Sequence, residues 1–376
     1  MAKALERHLK RLGLAGLARL TPRPGPKPTE RDLAAVQRIL VVRPDERLGN
    51  AILITPLLVA LKTRFPNATL RCLISRRYWD LHEFLPGADE FLSFDKRHYA
   101  RNPLAFAGLI RRLRRIHYDL VFDCSGDHAV SFTHLALASL SGGRFRIGYD
   151  RPEAAGCYDV AVPLSDARRH ATQMHLDLLR AITTFATDPR PQLRRSSDSG
   201  FAARFFAEHS LDRSRPIIVI HPGARGPKRW PAAKFAAVAR TLAAENGAQV
   251  IAVWGPADQI AVDEFLPAAS PAVVPAGILP FRDFISLVAA GDIFLSADCG
   301  PMHLAAAVPP KRGTCALFTT DTMPLYRPLG PTDIAIDARD SSLSPAVVVE
   351  ALRRMIDGRV DRAPDAPITA VQGRVA

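Results

Sequence analysis

The segment Asp298-Cys-Gly-Pro-Met-His303 places a carboxylate, a thiol and an imidazole around a glycine and a proline. It follows an apolar run at 292–297 that is typical of a strand, and it opens a stretch at 301–308 whose composition favours a helix. Gly300 would let the backbone approach a ligand closely, and the N–H groups at a helix start favour a negative charge. Asp298 and His303 would then flank a bound anion and sugar. The structural alternative is an Asp N-cap and an incidental helix histidine.

A second segment of the same kind is His221-Pro-Gly-Ala-Arg-Gly-Pro-Lys-Arg-Trp-Pro231. It follows a predicted strand at 216–221 and precedes a predicted helix at 231–245, so its turn can offer backbone N–H groups to a phosphate. Arg225, Lys228 and Arg229 add positive charge that would neutralise a diphosphate. We therefore predict a diphosphate-binding turn made by Gly223, Ala224, Arg225 and Lys228. The alternative is a solvated basic loop.

Two further turns come directly after predicted strands. In the turn 255–259, a carboxylate at the end of its strand is well placed for a ribose or a base edge, so Asp258 is the candidate and Gln259 the alternative. In the turn 43–50, Asp45, Glu46 or Asn50 would face a ligand.

Several familiar motifs are missing from the chain. It contains no G-x-G-x-x-G fingerprint, no P-loop, no G-x-S-x-G and no H-E-x-x-H. No two aspartates occur as D-x-D, the arrangement that would clamp a divalent metal on a diphosphate. The charge of a diphosphate would have to be met by Lys, Arg and helix ends, so we predict neither a metal nor a cofactor.

The order of predicted elements indicates the fold. Strands and helices alternate from residue 38 onward, and a polar stretch at 188–200 separates two such series. Alternation of this kind predicts two doubly wound parallel sheets, which we expect to face each other across a cleft. The predicted domains span residues 36–190 and 201–344. We expect a final helix at 345–357 to cross back to the first domain.

The first 35 residues form a separate region. Leu5, Leu9, Leu12 and Leu20 recur among basic residues over 3–20, which predicts a basic amphipathic helix, and the Pro-rich stretch 21–30 would end it. A helix of this kind favours binding to anionic lipid. The alternative is an extension that packs on the protein or stays solvated.

Cysteine usage and hydropathy bear on the compartment. The five cysteines, at 72, 124, 157, 299 and 315, are scattered and include no C-x-x-C pair, which is typical of a reducing compartment. The start has no signal-peptide pattern, and the longest uncharged apolar stretch, 48–61, is too short to cross a bilayer. These features predict a cytoplasmic protein, with association at the inner face of the membrane through residues 1–20.

The charge is unevenly distributed. Residues 1–190 carry 30 Lys and Arg against 19 Asp and Glu, whereas residues 191–376 carry 20 against 18. The excess gathers at 1–30 and at Arg111-Arg-Leu-Arg-Arg115. A basic first half suits an anionic membrane surface or a phosphorylated acceptor. Nucleic acid is not expected as a partner, because no aromatic residues interleave the basic clusters.

Taken together, several segments resemble glycosyltransferase family 9, the family of ADP-heptose–lipopolysaccharide heptosyltransferases. They are VVRPDERLGNAILITPLLVALKTRFP (41–66), HPGARGPKRWP (221–231), WGPAD (254–258), SADCGPMHLA (296–305) and YRPLGP (326–331). The resemblance spans residues 36–357, with these motifs in the family's order. It implies a GT-B fold, metal-independent inverting transfer, and a nucleotide-sugar donor, ADP-linked, held mainly by the C-terminal domain.

The resemblance also implies roles for single residues. Lys228 matches the family lysine on the donor diphosphate, and Asp298, Gly300 and His303 match a D-T-G-x-x-H motif at the sugar and phosphates. Asp258 or Gln259 falls where the family places a ribose-binding acid. The chain departs from the pattern twice, with Cys299 in place of the usual Thr and with Asn50 where many members carry the Asp proposed as general base.

These residues lead to a functional prediction with open alternatives. We predict transfer of heptose from ADP-heptose to a lipid-linked or saccharide acceptor of the cell envelope, such as the lipopolysaccharide core. Because Asn50 cannot accept a proton, Asp45, in preference to Glu46, is the predicted base. The alternative for Asp45 is loop stabilisation through Arg47. The alternatives for the protein are a nucleotide-sugar epimerase on the same fold and a non-catalytic nucleotide-sugar-binding descendant.

Overall fold

The computed structural model describes residues 24–125, 131–164, 168–194 and 200–359. The chain divides into two compact units, Met1–Pro189 and Arg190–Ala376. The amphipathic helix predicted over 3–20 lies outside the described residues. Within those residues, no helix has the length and apolar character needed to cross a membrane.

The first unit is built on a six-stranded sheet in which every strand pairs with its neighbours in parallel, in the order β3-β2-β1-β4-β5-β6. Its strands are β1 (Arg38–Arg43), β2 (Thr69–Ser75), β3 (Glu90–Phe94), β4 (Leu120–Asp123), β5 (Phe145–Tyr149) and β6 (Val160–Val162). Its helices are α1 (Glu30–Ala34), α2 (Leu48–Leu53), α3 (Thr55–Arg64), α4 (Lys96–Arg101), α5 (Pro103–Arg114), α6 (Phe132–Leu140) and α7 (Ala171–Arg180). Short 3-10 segments cover Arg76–Phe84 and Pro152–Ala154.

The second unit repeats this plan, with a parallel sheet in the order β12-β11-β10-β7-β8-β9. Its strands are β7 (Ile217–His221), β8 (Gln249–Val253), β9 (Val273–Gly277), β10 (Ile293–Ala297), β11 (Thr314–Phe318) and β12 (Ile334–Asp337). Its helices are α8 (Phe201–Glu208), α9 (Ala232–Asn246), α10 (Gln259–Ala269), α11 (Phe281–Ala290), α12 (Gly300–Ala307), α13 (Met323–Tyr326) and α14 (Pro345–Ile356), and Gly226–Lys228 is a 3-10 turn. The predicted fold class, with two doubly wound parallel sheets, is confirmed.

One predicted helix is divided in the structure. The sequence predicts a single helix over 50–65, but α2 ends at Leu53 and α3 begins at Thr55. Pro56 has no N–H to donate to the preceding turn, so it cannot continue a helix and instead occupies the first turn of α3. The hydroxyl of Thr55 donates to the carbonyl of Ile52, which satisfies an acceptor at the break.

The core of the second unit joins α9 and the last helix, α14, to the sheet. Trp230 and Phe235 are buried with their ring centroids 4.8 Å apart in an edge-to-face arrangement. The last helix, for which we expected a crossing back to the first domain, packs on α9 of the second unit. There the Arg353 guanidinium donates to the side-chain oxygen of Asn246 at 3.2 Å and also pairs with Glu245.

The parallel sheets position the polar segments singled out by the sequence. β7 lies between β8 and β10, and the segments that follow these three strands begin after His221, Val253 and Ala297. Because parallel strands end at the same edge of a sheet, these segments are neighbours in space. In the first unit β1 and β4 are adjacent, so the turns after Arg43 and Asp123 are neighbours in the same way.

Candidate functional site

The start of α12 is organised differently from a side-chain-capped helix. Cys299, not Asp298, is the N-cap residue, and its side chain makes no capping hydrogen bond. The alternative in which Asp298 serves as the N-cap is therefore wrong. The helix begins at Gly300, with Pro301 in its first turn. Because the first N–H groups of a helix have no intrahelical acceptor, this end of α12 is suited to an anion.

Asp298 instead binds a lysine and a hydroxyl. Its carboxylate is buried, with 3% side-chain exposure, and its Oδ2 accepts from Lys228 Nζ at 2.6 Å and from Thr322 Oγ1 at 2.6 Å. Lys228 and Asp298 are thus brought together from different turns, and Lys228 keeps 32% of its side chain exposed. One lysine therefore both compensates a buried carboxylate and presents charge to solvent beside α12.

His303 is buried in the first turns of α12 and packs edge-on against Tyr326, with ring centroids 6.0 Å apart. Burial lowers the pKa of His303 to about 4, and the nearby charge of Asp298 opposes this shift only in part. His303 is accordingly neutral near pH 7. It can act as a hydrogen-bonding group for a ligand but not as a cation.

Tyr326 and Thr322 were not assigned a role from the sequence. Lys228 Nζ lies 5.2 Å from the centroid of the Tyr326 ring, within the range of a cation–π contact. Tyr326 opens the segment YRPLGP, whose resemblance to the family is the sequence feature that could have pointed to it. For Thr322 the sequence offered no signal, because its contact depends on the loop after β11.

The predicted phosphate turn is partly exposed. Ala224 is buried, so it can offer a ligand only its backbone, and its carbonyl accepts from Arg229 Nε at 3.4 Å. Arg225 is exposed, and its carbonyl accepts the N–H of Lys228 at 3.2 Å. Of the predicted basic residues, Lys228 is the one that the structure joins to Asp298.

Asp258 faces the same turn. Its Oδ2 accepts the N–H of Gly255 at 2.9 Å and lies 3.3 Å from His221 Nε2. A Cβ added to Gly223 would lie 2.2 Å from the carboxyl carbon of Asp258, so only glycine leaves room for this carboxylate. The alternative candidate, Gln259, is exposed on α10 and donates to Asp263 Oδ1 at 2.7 Å. Asp258, unlike Gln259, belongs to the cluster around the turn.

His221 begins the segment 221–231, but the sequence pattern assigns it no role. Its ring lies between two site residues, with Nδ1 3.8 Å from Cys299 Sγ and Nε2 3.3 Å from Asp258. Burial by itself would lower the pKa of His221, but the charges and hydrogen bonds of Cys299 and Asp258 raise it to about 10. The signal in the sequence was a histidine as the last residue of a buried strand.

The first unit holds a second polar cluster, around Asp45. Asp45 Oδ2 lies 3.1 Å from Arg43 Nε and 3.6 Å from His134 Nε2, and Asp45 Oδ1 accepts from Asn50 Nδ2 at 2.5 Å. Arg43, rather than the Arg47 named in the alternative above, is thus the ion-pair partner of Asp45. Glu46 is half-buried, and its backbone carbonyl accepts from Tyr78 at 3.2 Å.

This environment determines the charge of Asp45. Burial by itself would raise its pKa, but the Arg43 guanidinium, His134 and the Asn50 amide hold the pKa of Asp45 well below its usual range. Asp45 is therefore ionised at any physiological pH, and it is a weaker proton acceptor than an ordinary carboxylate. No sequence pattern indicates His134, which reaches the cluster from α6.

A basic cavity lies on another face of the first unit. It has a volume of about 470 Å³ and is lined by residues of α4, α5 and the turn after α5, namely His98, Tyr99, Ala105, Gly108, Leu109, Arg111, Arg112 and Arg115. The three arginines are exposed. Because the lining contributed by the described residues contains no carboxylate, the positive charge of these arginines is available to an anion.

Comparison with known proteins gives these clusters a context. The family model for glycosyltransferase family 9 (heptosyltransferase) matches residues 106–353. Lipopolysaccharide heptosyltransferase 3 of Escherichia coli is 27% identical over 283 residues, which cover 69% of this chain and 78% of that protein.

Solved structures show the same fold. The glycosyl transferase family 9 protein of Veillonella parvula superimposes with a TM-score of 0.71 at 19% identity, covering 86% of this chain and 97% of that one. An E. coli heptosyltransferase solved with ADP-2-deoxy-2-fluoro heptose gives a TM-score of 0.60 at 17% identity. The match covers 86% of this chain and 100% of that one. The family match spans well over half of the residues, and it confirms the resemblance seen in the motifs: this chain belongs to glycosyltransferase family 9 and is a glycosyltransferase.

Proposed function

We propose that the protein transfers heptose from ADP-heptose to a lipopolysaccharide-core or other envelope-glycan acceptor. The observation that carries this proposal is the pair of Lys228 and Asp298 beside the start of α12, since it combines a fixed cation with a helix N-terminus. The relative from E. coli that is named as a heptosyltransferase, and the solved heptosyltransferase that contains a fluorinated ADP-heptose, support the choice of donor.

In the proposed reaction the acceptor hydroxyl attacks the anomeric carbon and the nucleoside diphosphate leaves. Negative charge then grows on the departing diphosphate, where Lys228 and the N–H groups at Gly300 and beyond would stabilise it. Neutral His303 would contribute a hydrogen bond without adding charge. Asp258 is the proposed partner of the ribose, and exposed Arg225 would add long-range attraction for the diphosphate. We propose that no divalent metal takes part, because these cationic groups meet the charge instead.

The first experiment measures transfer directly. Purified protein is incubated with ADP-heptose and a heptose-deficient lipopolysaccharide core, with and without EDTA, and product formation is followed by mass spectrometry. We expect transfer with inversion at the anomeric carbon, at the same rate in EDTA. Loss of activity in EDTA with recovery in magnesium would contradict the metal-free proposal. Epimerised donor in the absence of acceptor would favour the epimerase, and ADP-heptose binding without any turnover would favour the non-catalytic alternative.

The second prediction concerns Lys228. Replacing it with alanine removes the cation beside α12, so we expect kcat/KM for the donor to fall about 10²–10³-fold, as for loss of one preorganised charge contact worth about 3–4 kcal/mol. The loss should appear in kcat with saturating donor, because the interaction strengthens as the diphosphate leaves. Unchanged turnover in Lys228→Ala would remove the residue from the mechanism.

A matched control for this variant is Lys234→Ala. Lys234 is also in the second unit and uses its ammonium group structurally, donating to the carbonyls of Ser341 and Leu343 at 2.6 Å and 2.9 Å. This variant should lower thermal stability but leave kcat/KM within about twofold of the wild-type value, because the exposed contacts it loses are structural. Equal loss of activity in both variants would mean that the Lys228 effect is structural.

The third prediction tests Asp45 as the base. Asp45→Asn keeps the shape of the side chain but cannot accept a proton, so turnover should fall while donor affinity stays nearly intact. Because Arg43 weakens the basicity of Asp45, we expect the lower end of the usual range for a general base, about 10²-fold. For the same reason turnover should not decline on the acid side until below pH 4. Full activity in Asp45→Asn would reject the assignment.

The stability control for Asp45→Asn is Asp159→Asn. Asp159 forms the corresponding buried pair with Arg146 in the same unit, at 2.8 Å, with side-chain exposures of 3% and 4%. Both variants leave a buried arginine without its charge partner, which costs about 3–5 kcal/mol in unfolding free energy for a fully buried pair. Both should therefore melt at lower temperature, but only Asp45→Asn should lose turnover. Asn50→Asp would place a second carboxylate against Asp45, and a large gain in turnover there would point to position 50 as the better base position.

We further propose that the basic cavity of the first unit docks on anionic lipid. Arg111 and Arg112 line the cavity, and Leu104, 86% exposed, lies on the same helix α5. Exposed basic side chains near an anionic membrane each contribute about 1 kcal/mol of attraction, which salt screens. The phosphate of a lipid headgroup is the proposed contact.

The fourth prediction measures this docking with vesicles. The variant Arg111→Glu/Arg112→Glu should bind vesicles that contain phosphatidylglycerol at least about 30-fold more weakly than the wild type, because two cationic contacts are lost and two carboxylates are added. Arg213→Glu/Arg282→Glu, the same charge reversal at two exposed arginines of the second unit, should bind as the wild type does. Equal binding by both variants, or equal binding to neutral vesicles at high salt, would sink the proposal.

A further inference from the structure

The thiol of Cys299 lies in an arrangement that differs from that of the other cysteines. Its sulfur is 3.8 Å from His221 Nδ1, and the opposite ring nitrogen of His221 is 3.3 Å from Asp258. A thiol from the segment after β10, an imidazole from the last residue of β7 and a carboxylate from the turn after β8 thus follow one another in space. This order, a sulfur next to a base that a carboxylate orients, is the arrangement that activates nucleophilic thiols in proteins.

Cys299 is also the accessible cysteine. It is half-buried, whereas Cys72, Cys124, Cys157 and Cys315 are buried with at most 1% of their surface exposed. Burial raises the pKa of the Cys72 and Cys315 thiols to about 12 and that of Cys124 well above its usual value, which keeps these thiols protonated and unreactive. A reagent in solution would therefore reach and react with Cys299 first.

We propose that Cys299 is an activated thiol and the site at which soft electrophiles and peroxides modify this protein, with His221 as its proton acceptor and Asp258 as the residue that orients the imidazole. Ser296 Oγ, 3.9 Å from the sulfur, is the other polar contact of the thiol. A hydroxyl cannot take up the proton near neutral pH, so His221 is the acceptor.

The chemical steps balance with the groups present and the reagent. Before the attack the thiol proton passes to His221, which leaves a thiolate beside an imidazolium. With an alkyl halide, the sulfur then forms a bond to carbon, the carbon–halogen bond breaks, and halide leaves. With a peroxide, the sulfur forms a bond to one oxygen and the O–O bond breaks, so that the sulfur is oxidised to the sulfenic acid and the peroxide is reduced. The leaving hydroxide then takes the proton from His221 and departs as water.

The electrostatic surroundings support proton transfer to the imidazole. Although burial alone would lower it, the pKa of His221 lies above its usual value, because Cys299 and Asp258 both stabilise the imidazolium. Two sets of charged groups lie next to the Cys299–His221–Asp258 series. Arg229 acts on Asp258, and the Lys228–Asp298 pair includes the residue that directly precedes Cys299. Lys228 compensates Asp298, and Asp258 is the carboxylate that contacts His221 and stabilises its imidazolium.

Modification would interfere with the neighbouring anion site. Cys299 is the N-cap residue of α12, so a group attached to its sulfur would stand at the helix start where the donor diphosphate is proposed to bind. This second part of the inference rests on the proposed function. The reactivity of the thiol does not.

The experiment begins with labelling of the folded full-length protein by iodoacetamide at pH 7, followed by peptide mass spectrometry. We expect one fast-reacting cysteine, Cys299, that labels about tenfold faster than glutathione under the same conditions. Cys299→Ser should lose the fast phase. A Cys299 rate equal to or below that of glutathione would overturn the proposal, as would fast labelling at another cysteine.

A second experiment distinguishes activation of the thiol by His221 and Asp258 from mere solvent exposure of Cys299. Asp258→Asn and His221→Gln should slow labelling about tenfold at pH 7 but label as the wild type does at pH 9.5, where an ordinary thiol is also ionised. Slowing at both pH values, or at neither, would overturn the assignment of these two residues. Asp258→Asn decides the matter alone if His221→Gln does not fold. Asp340→Asn, which makes the same change at a carboxylate that accepts the Ser342 N–H, should leave the rate unchanged.

The consequence for the donor site is measured with ADP as the probe. ADP at saturating concentration should slow labelling of Cys299, and protein alkylated at Cys299, or oxidised there by hydrogen peroxide, should bind ADP at least tenfold more weakly by calorimetry. Unchanged ADP binding after modification would overturn the proposed block of the site. If even unmodified protein fails to bind ADP, the proposed function fails, while the labelling rates continue to decide whether Cys299 is activated.

Discussion

The buried carboxylate of Asp298 is the constraint on which the site of the second unit depends. A carboxylate taken out of water is costly unless it is paired and hydrogen-bonded, and here Lys228 and Thr322 supply a charge and a hydroxyl at 2.6 Å each. The pair holds the turn after β7 against the segment after β10. Lys228 is thereby fixed in the free protein, so little of its side-chain entropy would remain to be lost on binding of the proposed donor diphosphate. The same pairing offsets part of the lysine charge. The exposed Arg225 and Arg229 would then supply most of the positive charge that attracts an anion to this turn.

Much of this arrangement could be predicted from the sequence because it follows from strand order. Apolar runs at 216–221, 249–255 and 292–297 predicted parallel strands, and parallel strands bring their following turns to one edge. The contacts within that edge could not be predicted in the same way. Thr322 reaches Asp298 from a loop 24 residues further along the chain, and no local pattern distinguishes it from any other threonine.

The first unit shows a different limit of sequence reasoning. The turn after β1 offered three candidates, and residue type alone favoured Asp45 because Asn50 cannot accept a proton. Its basicity, however, depends on neighbours from the end of β1 and from α6, namely Arg43 and His134. These neighbours keep the Asp45 carboxylate ionised, but they also lower its affinity for a proton. The fraction of Asp45 that is ready to act as a base therefore rises while its strength as a base falls. A pattern of residue types cannot reveal such a balance, because it is set by distances of a few ångströms.

The helix α12 begins without a side-chain cap at Cys299. A Ser, Thr or Asp N-cap would satisfy a helix N–H with its own side chain and stabilise the protein by about 0.5–2 kcal/mol. Cys299 makes no such bond, and its sulfur lies beside His221 instead. The first N–H groups of α12 therefore keep their hydrogen-bonding capacity for a ligand, and a bound phosphate would restore the stabilisation that the missing cap leaves out. Because Asp298 fixes Lys228 beside this helix start, the proposed donor diphosphate would be stabilised there by the helix N–H groups and by the ammonium group together.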